Sequence, residues 1–331
     1  MSRITERDIR LWADEQGIPG LLFAELDYRL IQILEALYGD DLLSERLCIK
    51  GGTAINKLYL GETSRLSIDL DFNHLGRKDD VLRERREVRE RIIELLRRLD
   101  SYVIHSKHRY EQTTIKSRYD TITGTNQNIK IEISHIERFP IIPKVERRIK
   151  TPDGQIDVIT YTIEELTATK LRALLERSKG RDVYDLYFIS RLNPDPDTTR
   201  KMFLYYFYRS RKVYNPKVHY RNLVKRYDNG AYTDDVSIFV KPSVTFDLGE
   251  ATRKVLSYYS FLNELDAQDK GFLKLAGMLI GRKISEENAT RLKEIKNPLK
   301  KLFDPIEISR EAQATSLDDI KLYSKRKSGK D

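Results

Sequence analysis

The sequence predicts an α+β protein, with strands and flanking helices up to about residue 192 and a mainly helical remainder. Three observations carry this expectation. The runs "SIDLDF", "TTIKSRYDTITG" and "NIKIEISHI" alternate polar and apolar residues, as half-buried strands do. The runs "LLFAELDYRLIQILEALY" (21–38) and "VLRERREVRERIIELLRRL" (81–99) instead repeat apolar residues at helical spacing. Finally, "NPDPD" at Asn193–Asp197 interrupts the chain, and helical patterning dominates beyond it.

In order along the chain, Leu30, Ile33, Leu34 and Leu37 make one face of the 21–38 helix. "RLCIK" reads as a short strand broken by Gly51-Gly52, and "TAINKLYL" as a helix with Thr53 as its N-cap. "SIDLDF" follows as a strand. In the 81–99 helix Val81, Val88, Ile92, Leu95, Leu96 and Leu99 form one stripe, and Arg and Glu cover the rest as a solvated face. "YVIHSKHRY", "TTIKSRYDTITG" and "NIKIEISHI" form an antiparallel extension of the sheet, with turns at Gly124 and near Asn126. "PIIPKVERRIKTPDGQIDVITY" reads as short extended pieces between Pro and Gly turns. The helix "TIEELTATKLRALLERS" follows, closed by Gly180 as a C-cap, and then the helix "RDVYDLYFISRL". Beyond the break, one extended stretch is expected near "SIFVKPSVTFDL". These boundaries give N-terminal helices over 1–45, a core over 46–192, a helical lobe over 193–320 and a basic tail over 321–331.

The 331 residues carry a formal net charge of +9, with 34% charged and 40% hydrophobic residues. That composition excludes a disordered chain and favours polyanionic partners. The single cysteine, Cys48, excludes an intrachain disulfide and points to a reducing, cytoplasmic setting. The N-terminus has no apolar core of a secretory signal, and no run approaches the roughly 18 apolar residues of a membrane span. We therefore expect no membrane association.

The chemistry starts at "SIDLDF". Alternation puts Ser67, Asp69 and Asp71 on one face, with the two carboxylates about 7 Å apart at Cα. Such a pair suits a hard divalent cation, and equally a wet strand face. The preceding Gly51-Gly52 turn and helix start would offer backbone N–H groups to a triphosphate, or form only a tight turn. "NIKIEIS" adds Glu132 as a third carboxylate among apolar neighbours, which must be paired, metal-bound or exposed. In "TATKLRALLERSKGRDVYDLY", Lys170 and Arg177 share a helix face, and Lys170 could neutralise charge on a phosphoryl group. Arg181 and Asp185 could form an i,i+4 ion pair, and Asp182 and Asp185 read equally as structural or functional.

Together "KGGTAINKLYLGETSRLSIDLDF", "KIEIS" and "TATKLRALLERSKGRDVYDLYFI" resemble the AbiEii/AbiGii nucleotidyltransferase toxins, to which the MenT-type toxins are related. The resemblance covers about residues 46–192 and extends faintly into "FLNELDAQDKGFLKLAGMLIGRKISEENATRL". It implies a DNA polymerase β-like core, a mixed sheet with flanking helices, that makes 1–192 the nucleotidyltransferase domain. It implies NTP as substrate, Mg²⁺ or Mn²⁺ as cofactor, and a cognate antitoxin in a type IV toxin–antitoxin pair. Some members of the family extend the 3′ end of tRNA and so block translation. By motif match Gly51, Gly52 and Thr53 lie at the nucleotide-binding turn, Ser67 precedes the paired acids, and Asp69 and Asp71 are metal ligands. Glu132 sits where the family's third strand carries its polar or acidic residue and would join them as a metal ligand, Lys170 matches the catalytic lysine, and Arg181, Asp182 and Asp185 the RDxxD block. Gly-Gly-Thr replaces the Gly-Ser of the wider polymerase-like pattern.

The expected activity is metal-assisted nucleotidyl transfer to RNA, with Arg177 or Arg181 supporting Lys170. Transfer or phosphorylation onto a protein or small molecule is the alternative, and a non-catalytic RNA- or antitoxin-binding protein a third. The stretch "FLYYFYRSRKVYNPKVHYRNLVKRY" offers Arg209, Arg211 and Lys212, then Lys217, Arg221, Lys225 and Arg226, as RNA contacts or a solvated face, over Phe203, Leu204 and Phe207 as core. His74, His105, His108, His135 and His219 have no metal-ligand spacing. Only His135 lies near the proposed site.

Overall fold

The computed structural model describes residues 4–228, 233–280 and 298–314. The basic tail over 321–331 and the "GRKISEENATRL" part of the resemblance lie outside them. The chain divides into two compact units. The first comprises Met1–Phe139, Lys144–Leu166 and Asp234–Leu248; the second comprises Pro140–Pro143, Thr167–Thr233 and Gly249–Asp331.

The first unit opens with α1 (Glu6–Gln16), α2 (Leu21–Tyr38) and α3 (Asp41–Arg46). Thr5 starts α1 with a reciprocal capping box to Asp8, and Gly17 ends it in the left-handed conformation. The strands are β1 (Leu47–Lys50), β2 (Asp69–His74), β3 (Val103–His108), β4 (Gln112–Asp120), β5 (Asn126–Ser134), β6 (Val145–Thr151) and β7 (Gly154–Thr160). They form one mixed sheet in the order β3-β4-β5-β2-β1-β7-β6. β2 pairs antiparallel with β1 and parallel with β5, and β1 runs parallel with β7. β3, β4 and β5 form the expected antiparallel extension. The Pro-Gly segment after residue 140 is a regular hairpin, β6 with β7, rather than short separate pieces.

One face of this sheet is dry. Leu70 and Phe72 on β2, Ile129, Ile131 and Ile133 on β5, and Ile115 on β4 are all fully buried. α2 and α5 (Lys78–Leu99) supply the opposing layer. Val81, Val88, Ile92 and Leu96 of α5 are completely buried, so their stripe is the packed edge of an otherwise charged helix. Arg29 of α2 lies over the Tyr119 ring at 4.2 Å and pairs with buried Glu25 at 2.9 Å. The opposite face alternates into half-exposed and exposed residues along β4 and β5.

Two element expectations need correction. "SIDLDF" does not begin as strand at Ser67, because β2 starts at Asp69. The residues before it belong to a loop tied down by Asn56, whose side chain accepts from the Arg65 N–H, and by the Leu66 N–H donating to the Phe239 carbonyl. Thr53 is not an N-cap. α4 (Gly51–Leu58) starts three residues earlier with Lys50 as its cap residue, and the Thr53 hydroxyl instead donates to the Asp69 carbonyl at 2.5 Å.

The second unit contains α7 (Gly180–Ser190), α8 (Pro196–Arg209), α9 (His219–Asp228), α10 (Leu248–Tyr258), α11 (Ala267–Ile280), α12 (Pro298–Phe303) and α13 (Arg310–Gln313). The division between units falls within α6 (Ile163–Glu176). Gly180 does not cap α6; it opens α7, its N–H donating to the Thr233 carbonyl at 2.8 Å. The aromatic run of α8 is core: Phe203, Leu204 and Phe207 are buried, and so are Tyr205, Tyr206 and Tyr208. "SIFVKPSVTFDL" forms no strand. It belongs to the first unit, where it contains a short 3₁₀ turn at Ser237–Phe239, and Phe239 packs edge-on against Phe23 of the same unit.

Candidate active site

In the first unit, parallel pairing of β2 with β5 sets Asp71 opposite Glu132 and Asp69 opposite Lys130. Paired residues share a face, so Asp69, Asp71, Lys130 and Glu132 project together from the open side of the sheet. β1 completes the group by placing Lys50 opposite Asp71. Ser67 lies just before the strand and is buried, and its hydroxyl has no hydrogen-bond partner among the described residues.

Acids outnumber lysines at this cluster: Asp69, Asp71 and Glu132 gather around Lys50 and Lys130. The Asp71 carboxyl is pushed up to about 6, chiefly by burial and then by the charge on Asp69, while Lys50 acts against both. Lys130 reaches Glu132 at 2.9 Å and Asp69 at 3.9 Å, and Gln112 donates to the other Glu132 oxygen at 2.9 Å. Lys50 in turn pairs with Glu137 at 3.3 Å. Among the described residues no group of three acidic, histidine or cysteine side chains converges as a ready-made metal cage. The donor set nonetheless fits a hard divalent cation. Two crowded carboxylates, one of them reluctant to ionise, lack positive charge, and Mg²⁺ typically takes one or two carboxylates plus substrate phosphates.

Gly51 is built into this geometry. Its φ of +74° favours glycine, and a Cβ there would lie 2.5 Å from Asp71 Oδ2. The turn thus brings backbone directly against the carboxylate. The first N–H groups of α4 follow at once, and such groups lack partners inside the helix.

The second unit holds the downstream motif as a cluster of its own. Lys170 of α6 is buried and lies 3.2 Å from Asp182 and 2.8 Å from Asp185, both completely buried on α7. Arg177, more than half exposed, grips Asp182 with two bonds, at 2.9 Å from Nε and 3.0 Å from Nη2. Arg181 is half-buried on the same helix. Arg209 is half-buried, whereas Arg211 and Lys212 are exposed; Lys212 pairs with Glu176 at 3.2 Å and sits over the Phe207 ring.

Sequence reasoning passed over Lys50, Lys130 and Gln112. Lys130 shares the alternation that singled out Glu132, so its face was readable. Its position against Asp69 was not, because that depends on a parallel pairing across some sixty residues. Three of the histidines form a cluster. His74 and His135 are buried with their Nδ1 atoms 3.3 Å apart, and Thr113 links His135 to His108. Burial holds His74 down to about 4 and His135 to about 3.

A mixed sheet carrying paired strand aspartates beside a glycine turn and helix N-terminus suits a centre that takes a divalent cation and a phosphorylated ligand. The solved structure of the nucleotidyltransferase toxin MenT4 from Mycobacterium tuberculosis H37Rv is similar in fold, with a TM-score of 0.63 at 19% identity over 91% of this chain and 99% of the other. Comparison with curated proteins gives no match. Residues 32–274 match the family described as nucleotidyl transferase AbiEii toxin, type IV toxin–antitoxin system. The chain belongs to this family: it is a nucleotidyltransferase toxin, an enzyme that takes NTP and divalent metal and is paired with an antitoxin. Among the described residues no helix is long and apolar enough to cross a membrane.

Proposed function

We propose that this enzyme transfers nucleotides from an NTP to RNA, at the 3′ end of tRNA, and so blocks translation. The observation that carries the reading is the β2–β5 pairing, which gathers Asp69, Asp71 and Glu132 on one open face beside the Gly51 turn. The acceptor hydroxyl oxygen bonds to the α-phosphorus, the bond from that phosphorus to the bridging oxygen breaks, and pyrophosphate leaves. Asp69 and Asp71 would hold Mg²⁺, or Mn²⁺ in its place, and a pair of such ions would supply charge stabilisation to the reacting phosphate. Glu132, held by Lys130 and Gln112, is the third acid and accepts the hydroxyl proton. Gly51, Gly52 and Thr53 offer the turn and first helical N–H groups to the triphosphate, and Ser67 lends its unpartnered hydroxyl. Lys170, with Arg177 and Arg181, opposes phosphate charge, and Asp182 and Asp185 set the lysine's position. Arg209, Arg211 and Lys212 contact the body of the RNA. In this reading residues 1–192 are the nucleotidyltransferase domain and 193–320 a helical lobe.

The test mixes protein, tRNA and each labelled NTP with and without Mg²⁺. Label should enter the 3′ end with Mg²⁺, stop with chelator, and fall at least a hundred-fold in Asp69→Ala. Transfer untouched by Asp69→Ala, or none to any RNA, refutes it. Arg209→Glu/Arg211→Glu/Lys212→Glu should raise KM for RNA and leave KM for NTP alone.

A further inference from the structure

We propose that the open face of β5, β4 and β3 is a track for the single-stranded 3′ end of the RNA acceptor, leading it to the carboxylates. The proposal rests on the reading that RNA is the acceptor. The pairings of these strands line up residues in rows across the sheet. One row runs Asp69, Lys130, Lys116 and His105; the next runs Asp71, Glu132, Thr114 and Lys107. Arg118 lies one step along β4 on the same face, opposite Asn128. Three strand spacings separate β2 from β3, so a row spans about 14 Å.

Along β4 this face is solvent-exposed where the other is dry, and the edge strand β3 is largely exposed on both. Lys116, Arg118, His105 and Lys107 are exposed, while Ile115, Ser117 and Tyr119 between them are buried. No ion pair is seen for Lys107, Lys116 or Arg118 among the described residues, unlike Lys130, which is committed to Glu132 and Asp69. Asp120 closes the far end of β4. A phosphodiester strand would therefore be drawn between two acidic ends, with its terminus at Asp69 and Asp71.

Direction supports the assignment. The Gly51 turn and α4 follow β1, on one side of β2; the cationic rows lie on the other, beyond β5. In-line displacement places the attacking hydroxyl and departing pyrophosphate on opposite sides of the α-phosphorus. A triphosphate on the β1 side and an acceptor on the β5 side satisfy that requirement without the two anions competing for one seat.

The test variant is Lys116→Glu/Arg118→Glu, two exposed strand residues outside the catalytic group. Its thermal melt should match the parent within a few degrees, and single Lys116→Gln serves if it does not. KM for tRNA should rise about ten-fold or more, with kcat at saturating RNA and KM for NTP unchanged. Binding of a labelled single-stranded oligonucleotide, measured without NTP or metal, should weaken in parallel. Its logarithmic salt dependence should fall by roughly 1.4, for two lost contacts at about 0.7 each. Unchanged KM for RNA, or an equal rise in KM for NTP, overturns the track. So does a variant that binds RNA normally but no longer binds its antitoxin, which would make this face a protein interface. If the parent transfers nothing to RNA yet binds the oligonucleotide through these residues, the acceptor reading fails while the track stands.

Discussion

Gly51 and Asp71 show how much of the proposed chemistry rests on single atoms. Gly51→Ala must place a methyl group 2.5 Å from a carboxylate oxygen and hold a left-handed φ. The backbone alone costs about 1–2 kcal/mol. We expect a lower melting temperature and a loss of transfer exceeding what the stability change accounts for, measured at a temperature where both proteins are folded. Asp71 carries the opposite lesson. Its pKa is raised above the ordinary 3.8 to about 6, so the folded state binds more protons than the unfolded one between those values. Stability attributable to this group therefore falls as pH rises from about 4 to 6, and the cost is complete above that. Asp71→Asn should stabilise the metal-free protein at pH 8, by up to about 3 kcal/mol, and confer no advantage below pH 4. Urea denaturation at the two pH values checks this, and the same variant should be inactive.

Among the elements, α6 and α7 show that a proposed catalytic residue also holds structure. Lys170 is buried between Asp182 and Asp185, themselves fully buried. Lys170→Met leaves carboxylate charge under-compensated, a loss of about 3 kcal/mol or more by denaturant unfolding. Loss of activity in that variant gains mechanistic meaning only beside its stability. The β2 and β5 ends hold the second elemental prediction. His74 and His135 sit below their ordinary pKa because of burial, so the folded state resists protonation. Their contribution is intact above pH 6.5 and is lost as pH falls toward 4, opposite in sign to that of Asp71. His135→Gln should flatten the acid side of a melting-temperature profile between pH 6.5 and 4.

These elements also show what the sequence could disclose. Asp69, Asp71 and Glu132 were legible because strand alternation is local, and the helices at 21–38 and 81–99 because their apolar stripes are long. The hairpin of β6 and β7 was blurred by Pro and Gly, which mark turns but not the pairing around them. Gly180 was misread because a glycine after one helix is equally the first residue of the next, and the Thr233 carbonyl that decides it lies far along the chain. The three-residue salt link of Asp69, Lys130 and Glu132 could not be seen at all, since nothing local sets the register of two parallel strands.

On the scale of the whole molecule, the two units interleave in sequence. The carboxylates and glycine turn belong to one, and Lys170 with its acids to the other. The first unit is also not finished when its sheet is. Asp234–Leu248 belongs to it, and there the Phe239 carbonyl accepts the Leu66 N–H at 2.9 Å, just before the strand that bears Asp69. During synthesis, at roughly 5–20 residues per second, the loop leading into Asp69 waits for a segment made after about seventy residues of the other unit. Nascent chains stopped short of residue 234 carry Asp69, Asp71 and Glu132 and lack the segment that holds the loop before Asp69. For a toxin made on the ribosomes whose substrates it is proposed to disable, the strand bearing the proposed metal ligands gains this tie only late in the enzyme's own translation.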